Sequence, residues 1–328
     1  QYQAGMEAAI VATGHRYAIS LASRNLSKSS HINELWHGIA QYRMLRQMTE
    51  KLKAEKNPDA VLEELSDNLC RIAASVLRHN NLKPALIGGK DAVRKGEKRV
   101  TALHDSLPVN GAPSFFSPDI EPGIGNNDRP HDGWHTTTAV NFVGQSFKTV
   151  RITHPDSSGL SVIGKLLRSM YLHKEIREKG GAYGGFAMYN SEEGIFSFGS
   201  YRDPHIKQTL DVYKNACDFI MKGEFRDSDV NEAILQVCSD IDKPETPGPA
   251  AMKAFYRDIT RLSDEIRKGF KDALLSLNKA GIIRVAEKYF RVDDSLKGVS
   301  VISSKAQLEA ANKALESESR RPLTLNKI

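Results

Sequence analysis

Apolar positions recur at helical spacing along much of the chain, broken by short runs that alternate or are rich in β-branched residues. Ile32, Leu35, Trp36, Ile39, Leu45, Met48 and Leu52 return every third or fourth position or so, which predicts a long helix. Ser30 is its predicted cap. Upstream, Arg16 to Ala22 (RYAISLA) alternates polar and apolar residues and predicts a strand. Asn57-Pro58 predicts the start of another helix, with Asn57 as cap and Pro58 in the first turn. Its stripe is Val61, Leu65, Leu69, Ile72, Val76 and Leu77, and Lys83 to Gly88 (KPALIG) predicts a short strand after it.

Periodicity is lost from Pro108 to Gly133, where five prolines and several glycines collect, and this stretch reads as a linker. Beyond it, Ala139 to Val143 predicts a strand and Ser157 to Lys179 a helix. Gly180 is expected to end that helix in the left-handed conformation glycine tolerates. Ala182–Tyr189 and Ile195–Tyr201 predict a hairpin turning at Asn190–Gly194. Asp203-Pro204 begins a further helix, and four more follow between about 228 and 289. Gly298 to Ser303 (GVSVIS) predicts a late strand and Gln307 to Leu315 a last helix. The polar tail from Glu316 is expected to be disordered.

This order predicts an α+β protein of two related domains, each a mixed or antiparallel sheet with helices packed mainly on one face. The expected division is a first α+β domain at 1–107, a linker at 108–133 and a second α+β domain at 134–328.

Composition narrows the function classes. The 328 residues are 40% hydrophobic and 26% charged, and no apolar run approaches the ~18 residues a membrane span needs. Membrane insertion is therefore not expected. The net charge of +6 is spread along the chain with acidic residues between, without a basic block interleaved with aromatics, so nucleic acid is not an expected partner. Cys70, Cys217 and Cys238 are an odd set without close pairs, which argues against a disulfide framework or a cysteine zinc site and fits a reducing compartment. The chain does not open with Met, so its N-terminus is expected to lie further upstream.

Four segments carry candidate chemistry. HINELWH holds His31, Glu34 and His37, but Leu35 stands where the inverted zinc motif H-x-x-E-H needs its second His. Six residues apart on a helix, His31 and His37 point roughly 120° away from each other, so one ion is not shared. HDGWH spaces His131 and His135 four apart, yet beside Pro130 and Gly133 it reads as loop. GGAYGG has the glycines of a phosphate loop in the wrong place: they follow a helix and enter a strand, and a helix C-terminus repels anions. Glycines inside a strand instead mark a place where another backbone approaches closely, such as an extended peptide joining a sheet edge. Finally, Arg177 closes the helix six residues before Tyr183 on the strand. A guanidinium and a phenol converging there are two donors for a peptide carbonyl or its oxyanion; the alternative is a surface arginine at a helix end beside a half-buried tyrosine.

LHKEIREKGGAYGG followed by GIFSFGSYRDPHIKQTLDVY resembles the C-terminal half of the presequence proteases and related falcilysin-like enzymes, in the pitrilysin or insulinase superfamily. SRNLSKSSHINELWHGIAQYRMLRQM is similar to the preceding domain of that half, so the resemblance runs from about Arg16 to about Phe290. It implies a zinc metalloendopeptidase of four related α+β domains in two halves that enclose unfolded peptides such as cleaved presequences. The N-terminal half would carry the zinc and the catalytic Glu. This chain would hold no metal and no catalytic residue, and would be inactive alone. By motif position the family's substrate-contacting Arg and Tyr fall on Arg177 and Tyr183, with Gly180 and Gly181 as loop support. The implied partners are the N-terminal catalytic half and the peptide substrate. The alternative is an inactive partner subunit of the same superfamily. Members occur in mitochondria, plastids and bacteria, which leaves the compartment open.

Overall fold

The structure is a computed structural model that describes residues 1–55, 58–109 and 129–328. Its helices are α1 (Tyr2–Ser23), α2 (Lys28–His37), α3 (Ile39–Ala54), α4 (Asp59–Val76) and α5 (Lys90–Ser106), then α6 (Ser157–Leu166), α7 (Lys207–Lys222), α8 (Asp227–Ile241), α9 (Pro247–Thr260), α10 (Asp264–Leu275), α11 (Lys279–Phe290) and α12 (Lys305–Ser317). A π-helical segment, Leu167–Lys179, continues α6. The strands are β1 (His131–His135), β2 (Phe142–Lys148), β3 (Gly184–Asn190), β4 (Ile195–Tyr201), β5 (Gly298–Ser303) and β6 (Thr324–Lys327).

All six strands form one mixed sheet in the order β3-β4-β2-β5-β1-β6. β1 runs parallel to both β5 and β6, and the other neighbours are antiparallel. Side chains alternate across the sheet. Val143, Phe147, Phe196, Phe198, Val299 and Val301 join a core with residues of α6, the π-helical segment, α7, α8, α11 and α12. Phe142, Trp134 and Ile302 face the other way, into a smaller core with Met6, Ile10, Ala18 and Leu21 of α1. The protein is thus α+β, with α6, α7, α8, α11 and α12 on one face of the sheet and α1 across the other.

The docking of α1 corrects the expected strand at Arg16–Ala22. The buried positions Met6, Ile10, Gly14, Ala18, Leu21 and Ala22 recur at helical spacing, but several are too small to register as an apolar stripe. They are small because the helix backbone lies directly on the sheet. A Cβ on Gly144 would come within 2.6 Å of the Ala18 carbonyl carbon, one on Gly199 within 2.8 Å of Ile19 Cδ1, and one on Gly298 would overlap the Ala22 carbonyl oxygen. These glycines are a floor for close approach.

The chain divides into two compact units: Gln1–Arg46, Glu121–Asp242 and Glu265–Ile328 in the first, Gln47–Ile120 and Lys243–Asp264 in the second. The first holds the sheet. The second has no strand among its described residues, and its helices α4, α5 and α9 bury none of their residues fully. This departs from domains at 1–107 and 134–328, because residues 1–46 belong with the sheet. Lys83–Gly88 is not a strand, and Leu86 and Ile87 are exposed. Asn57 and most of the expected linker fall outside the described residues, and the linker's last residues, His131–Gly133, already belong to β1. The cap of α2 is Ser27, whose hydroxyl accepts from the Ser30 N–H. The tail is ordered: α12 extends to Ser317, Asn312 exchanges two hydrogen bonds with Leu323, and β6 pairs with β1. A four-residue polar strand has no hydropathy signature of its own, so only its neighbour reveals it.

Candidate functional site

IREKGGAYGG lies where the π-helical segment hands over to β3, the outermost strand of the sheet. The helix stop differs from the one expected. Gly180 keeps a right-handed conformation (φ −83°), and Gly181 takes the left-handed one (φ +74°). Gly180 is required by space, since a Cβ there would lie 2.6 Å from the Ile176 carbonyl oxygen. The N–H of Gly181 donates to the Arg177 carbonyl and that of Ala182 to the Ile176 carbonyl, which satisfies two helix-end acceptors. Tyr183 then turns into the sheet, its N–H donating to the Tyr201 and Arg202 carbonyls at 3.1 and 3.4 Å. The two strand glycines have different reasons. A Cβ on Gly185 would press into Ile176, whereas one on Gly184 meets nothing within 4 Å.

This turn brings Arg177 and Tyr183 together. The guanidinium carbon lies 5.9 Å from the centre of the Tyr183 ring, a cation–π distance. Tyr183 is 66% exposed, so the half-buried alternative does not hold. Its hydroxyl has no hydrogen-bond partner and Arg177 has no carboxylate partner among the described residues. The neighbouring acids are engaged elsewhere: Glu175 with Lys179 and Glu178 with His173.

A second layer around the pair has no counterpart among the residues the sequence pattern singles out. Tyr201 meets the Tyr183 ring edge-on at 5.3 Å, and the Arg202 guanidinium lies 5.6 Å from the Tyr201 ring. His15 of α1 packs its ring against Tyr201 and Phe186. Burial, and then the charge of Arg16, lower the His15 pKa and favour the neutral imidazole. Asp203 is buried. Burial raises its pKa, moderated by hydrogen bonds from the Thr209 hydroxyl and the His205 N–H. The signal for this layer lay in SYRDPH, but only pairing of β4 with β3 places it beside Tyr183.

The described residues do not bring His31, Glu34 and His37 of HINELWH together as a ligand group. The Glu34 carboxylate turns inward, accepting from the Ser20 hydroxyl (2.5 Å) and from the N–H groups of Ile39 (2.7 Å) and Ala40 (3.3 Å) at the start of α3. Burial raises its pKa despite those donors. Both of its oxygens are thus engaged by the fold. HDGWH is strand rather than loop, with Asp132 buried against Arg24 and Ser300. In the second unit, His79, His104 and Asp105 place ligand atoms within 4.8 Å of one another; the imidazoles lie against each other at a tilt of 49°, and Asp105 is exposed.

Residues 134–305 match the sequence model of the family described as PreP C-terminal domain, and residues 1–48 match a second model, of a segment described as peptidase-associated. The mitochondrial presequence protease of Kluyveromyces lactis is 31% identical over 298 residues, covering 89% of this chain and 29% of that protein. The Xenopus laevis protein of the same name is 29% identical over 323 residues, covering 88% of this chain and 29% of that protein. The chain therefore spans less than a third of the length of these relatives. A solved structure described as a protease from Helicobacter pylori covers 63% of this chain and 52% of that one, with a TM-score of 0.48 at 17% identity.

Proposed function

The chain belongs to the PreP C-terminal domain family, and from that premise we propose that it is the non-catalytic C-terminal half of a zinc metalloendopeptidase that degrades unfolded peptides such as cleaved presequences. The observation that carries this reading is the pair of unengaged donors, Arg177 and Tyr183, held together across the turn that leads into the edge strand β3. A guanidinium N–H and a phenol O–H can both donate to one peptide carbonyl. Their hydrogen bonds strengthen as that oxygen gains charge, which favours the transition state over the ground state. Beside them, the unpaired side of β3 offers backbone groups to an extended peptide, and the open face of Gly184 removes the side chain that would obstruct it.

The metal does not fit this chain at the motif that most resembles a zinc site, because Glu34 is consumed in capping α3. The zinc and its ligands are assigned to the N-terminal half, with which this chain would enclose the peptide. The test is Tyr183→Phe in the full-length enzyme, with zinc content measured alongside. Turnover should fall while zinc is retained; unchanged cleavage would overturn the role of Tyr183.

A further inference from the structure

We infer that Arg202 is a substrate-contacting residue that receives a carboxylate of a bound peptide; this rests on the peptide-binding reading above. The first observation is its backbone. Three non-glycine residues among those described have positive φ: Arg202 (+50°), Arg261 and Ser319. Arg261 and Ser319 sit just past the ends of α9 and α12, where a left-handed residue is the ordinary way to stop a helix. Arg202 follows a strand and has no such reason. An L side chain is strained there, and glycine or asparagine is the usual choice.

The surroundings force the conformation. On one side β4 is locked to β3 through Tyr201, paired with Gly184. On the other, Asp203 exchanges backbone hydrogen bonds with Asn141 in both directions, at 2.8 and 2.9 Å. Its carboxylate accepts from the His205 N–H and the Thr209 hydroxyl. Arg202 is the one residue between these two fixed points. Strain that persists because its neighbours over-determine it is a mark of function.

The second observation is what the side chain does. It is exposed and has no carboxylate partner among the described residues. The Arg202 guanidinium lies 5.6 Å from the Tyr201 ring and that of Arg177 lies 5.9 Å from the Tyr183 ring, the two rings meeting edge-on. The one carboxylate adjoining Arg202 in sequence, Asp203, is buried and already bonded. A guanidinium without a carboxylate partner, held by an aromatic face, matches a carboxylate through its own paired N–H donors. That carboxylate is the C-terminus of a bound peptide or an Asp or Glu side chain within it.

Fluorescence anisotropy of a labelled extended peptide with the full-length enzyme, its zinc removed to prevent cleavage, tests the assignment. Three forms are used: a free C-terminus without acidic residues, the same peptide amidated, and the amidated peptide with one internal Glu. The variants are Arg202→Gly and Arg202→Lys. Arg202→Gly should fold with an unchanged or higher Tm, because glycine accepts the positive φ. It should bind at least one carboxylate form about tenfold more weakly and the neutral amide unchanged. Arg202→Lys should keep part of the preference, having charge without the fork. Weakening of the free-acid form alone assigns the C-terminus; weakening of the Glu form alone assigns a side chain. Equal weakening of all three, no weakening at all, or a lowered Tm for Arg202→Gly would overturn the inference while leaving peptide binding intact. Failure of all three peptides to bind would overturn the peptide-binding reading itself and this inference with it.

Discussion

HINELWH and IREKGGAYGG are both short polar motifs at the ends of helices, and both look chemical in the sequence. Their structures separate them. In the first, Glu34 is buried and each carboxylate oxygen already accepts a hydrogen bond from the protein. In the second, Arg177 and Tyr183 are exposed and their side-chain donors have no acceptor among the described residues. The difference teaches that residue type alone does not mark a functional polar group. What distinguishes a site is hydrogen-bonding capacity that the fold leaves unused.

That contrast can be broken at either end. Glu34→Ala should produce the largest loss, about 3 kcal/mol in urea unfolding, because Ile39, Ala40 and Ser20 are left without their acceptor in a buried place. A change below about 0.5 kcal/mol would mean the knot is dispensable, as for an ordinary surface position. Tyr183→Phe should do the opposite. Unfolding should be unchanged, and turnover of the full-length enzyme should drop about a hundredfold, the order expected for one lost oxyanion donor. The two glycine positions sharpen the comparison within the turn. Gly181→Ala should cost about 1 kcal/mol for its left-handed backbone. Gly184→Ala should stay within about 0.5 kcal/mol, having open space for a methyl.

The smallest effect is in pH. Burial raises the Glu34 pKa above its ordinary 4.5. The stability that goes with its protonated form is therefore complete below 4.5 and lost as pH rises through the raised value. Glu34→Gln does not titrate. Its urea midpoint should improve relative to the parent between pH 4 and pH 7, and a parallel pH dependence of the two would show that Glu34 is not the titrating group.

Much of this protein was legible in advance. The hairpin of β3 and β4, the helices from 207 to 290 and β5 have periodicities or turn residues that survive without tertiary context. Arg177 and Tyr183 could be singled out because the motif around them is local, a helix stop joining both, and resembles a family motif. The parts that were missed depend on partners distant in the chain. Helix α1 carries Ala18 over Gly144, Ala22 over Gly298 and Gly14 over the Phe142 ring, and a stripe of small residues has almost no hydropathy contrast. β1 and β6 look polar because each takes its place from hydrogen bonds to a neighbouring strand.

By itself the sequence determined the α+β class, the hairpin and the candidate pair on either side of the glycine turn. Each of these is encoded within a few neighbouring residues. Tertiary structure alone decided that Glu34 is a cap, that Gly181 rather than Gly180 carries the left-handed turn, and that Arg202 stands beside Tyr183. A side chain's availability depends on which donors and acceptors the rest of the fold brings within about 3 Å of it. No local pattern of residues records that.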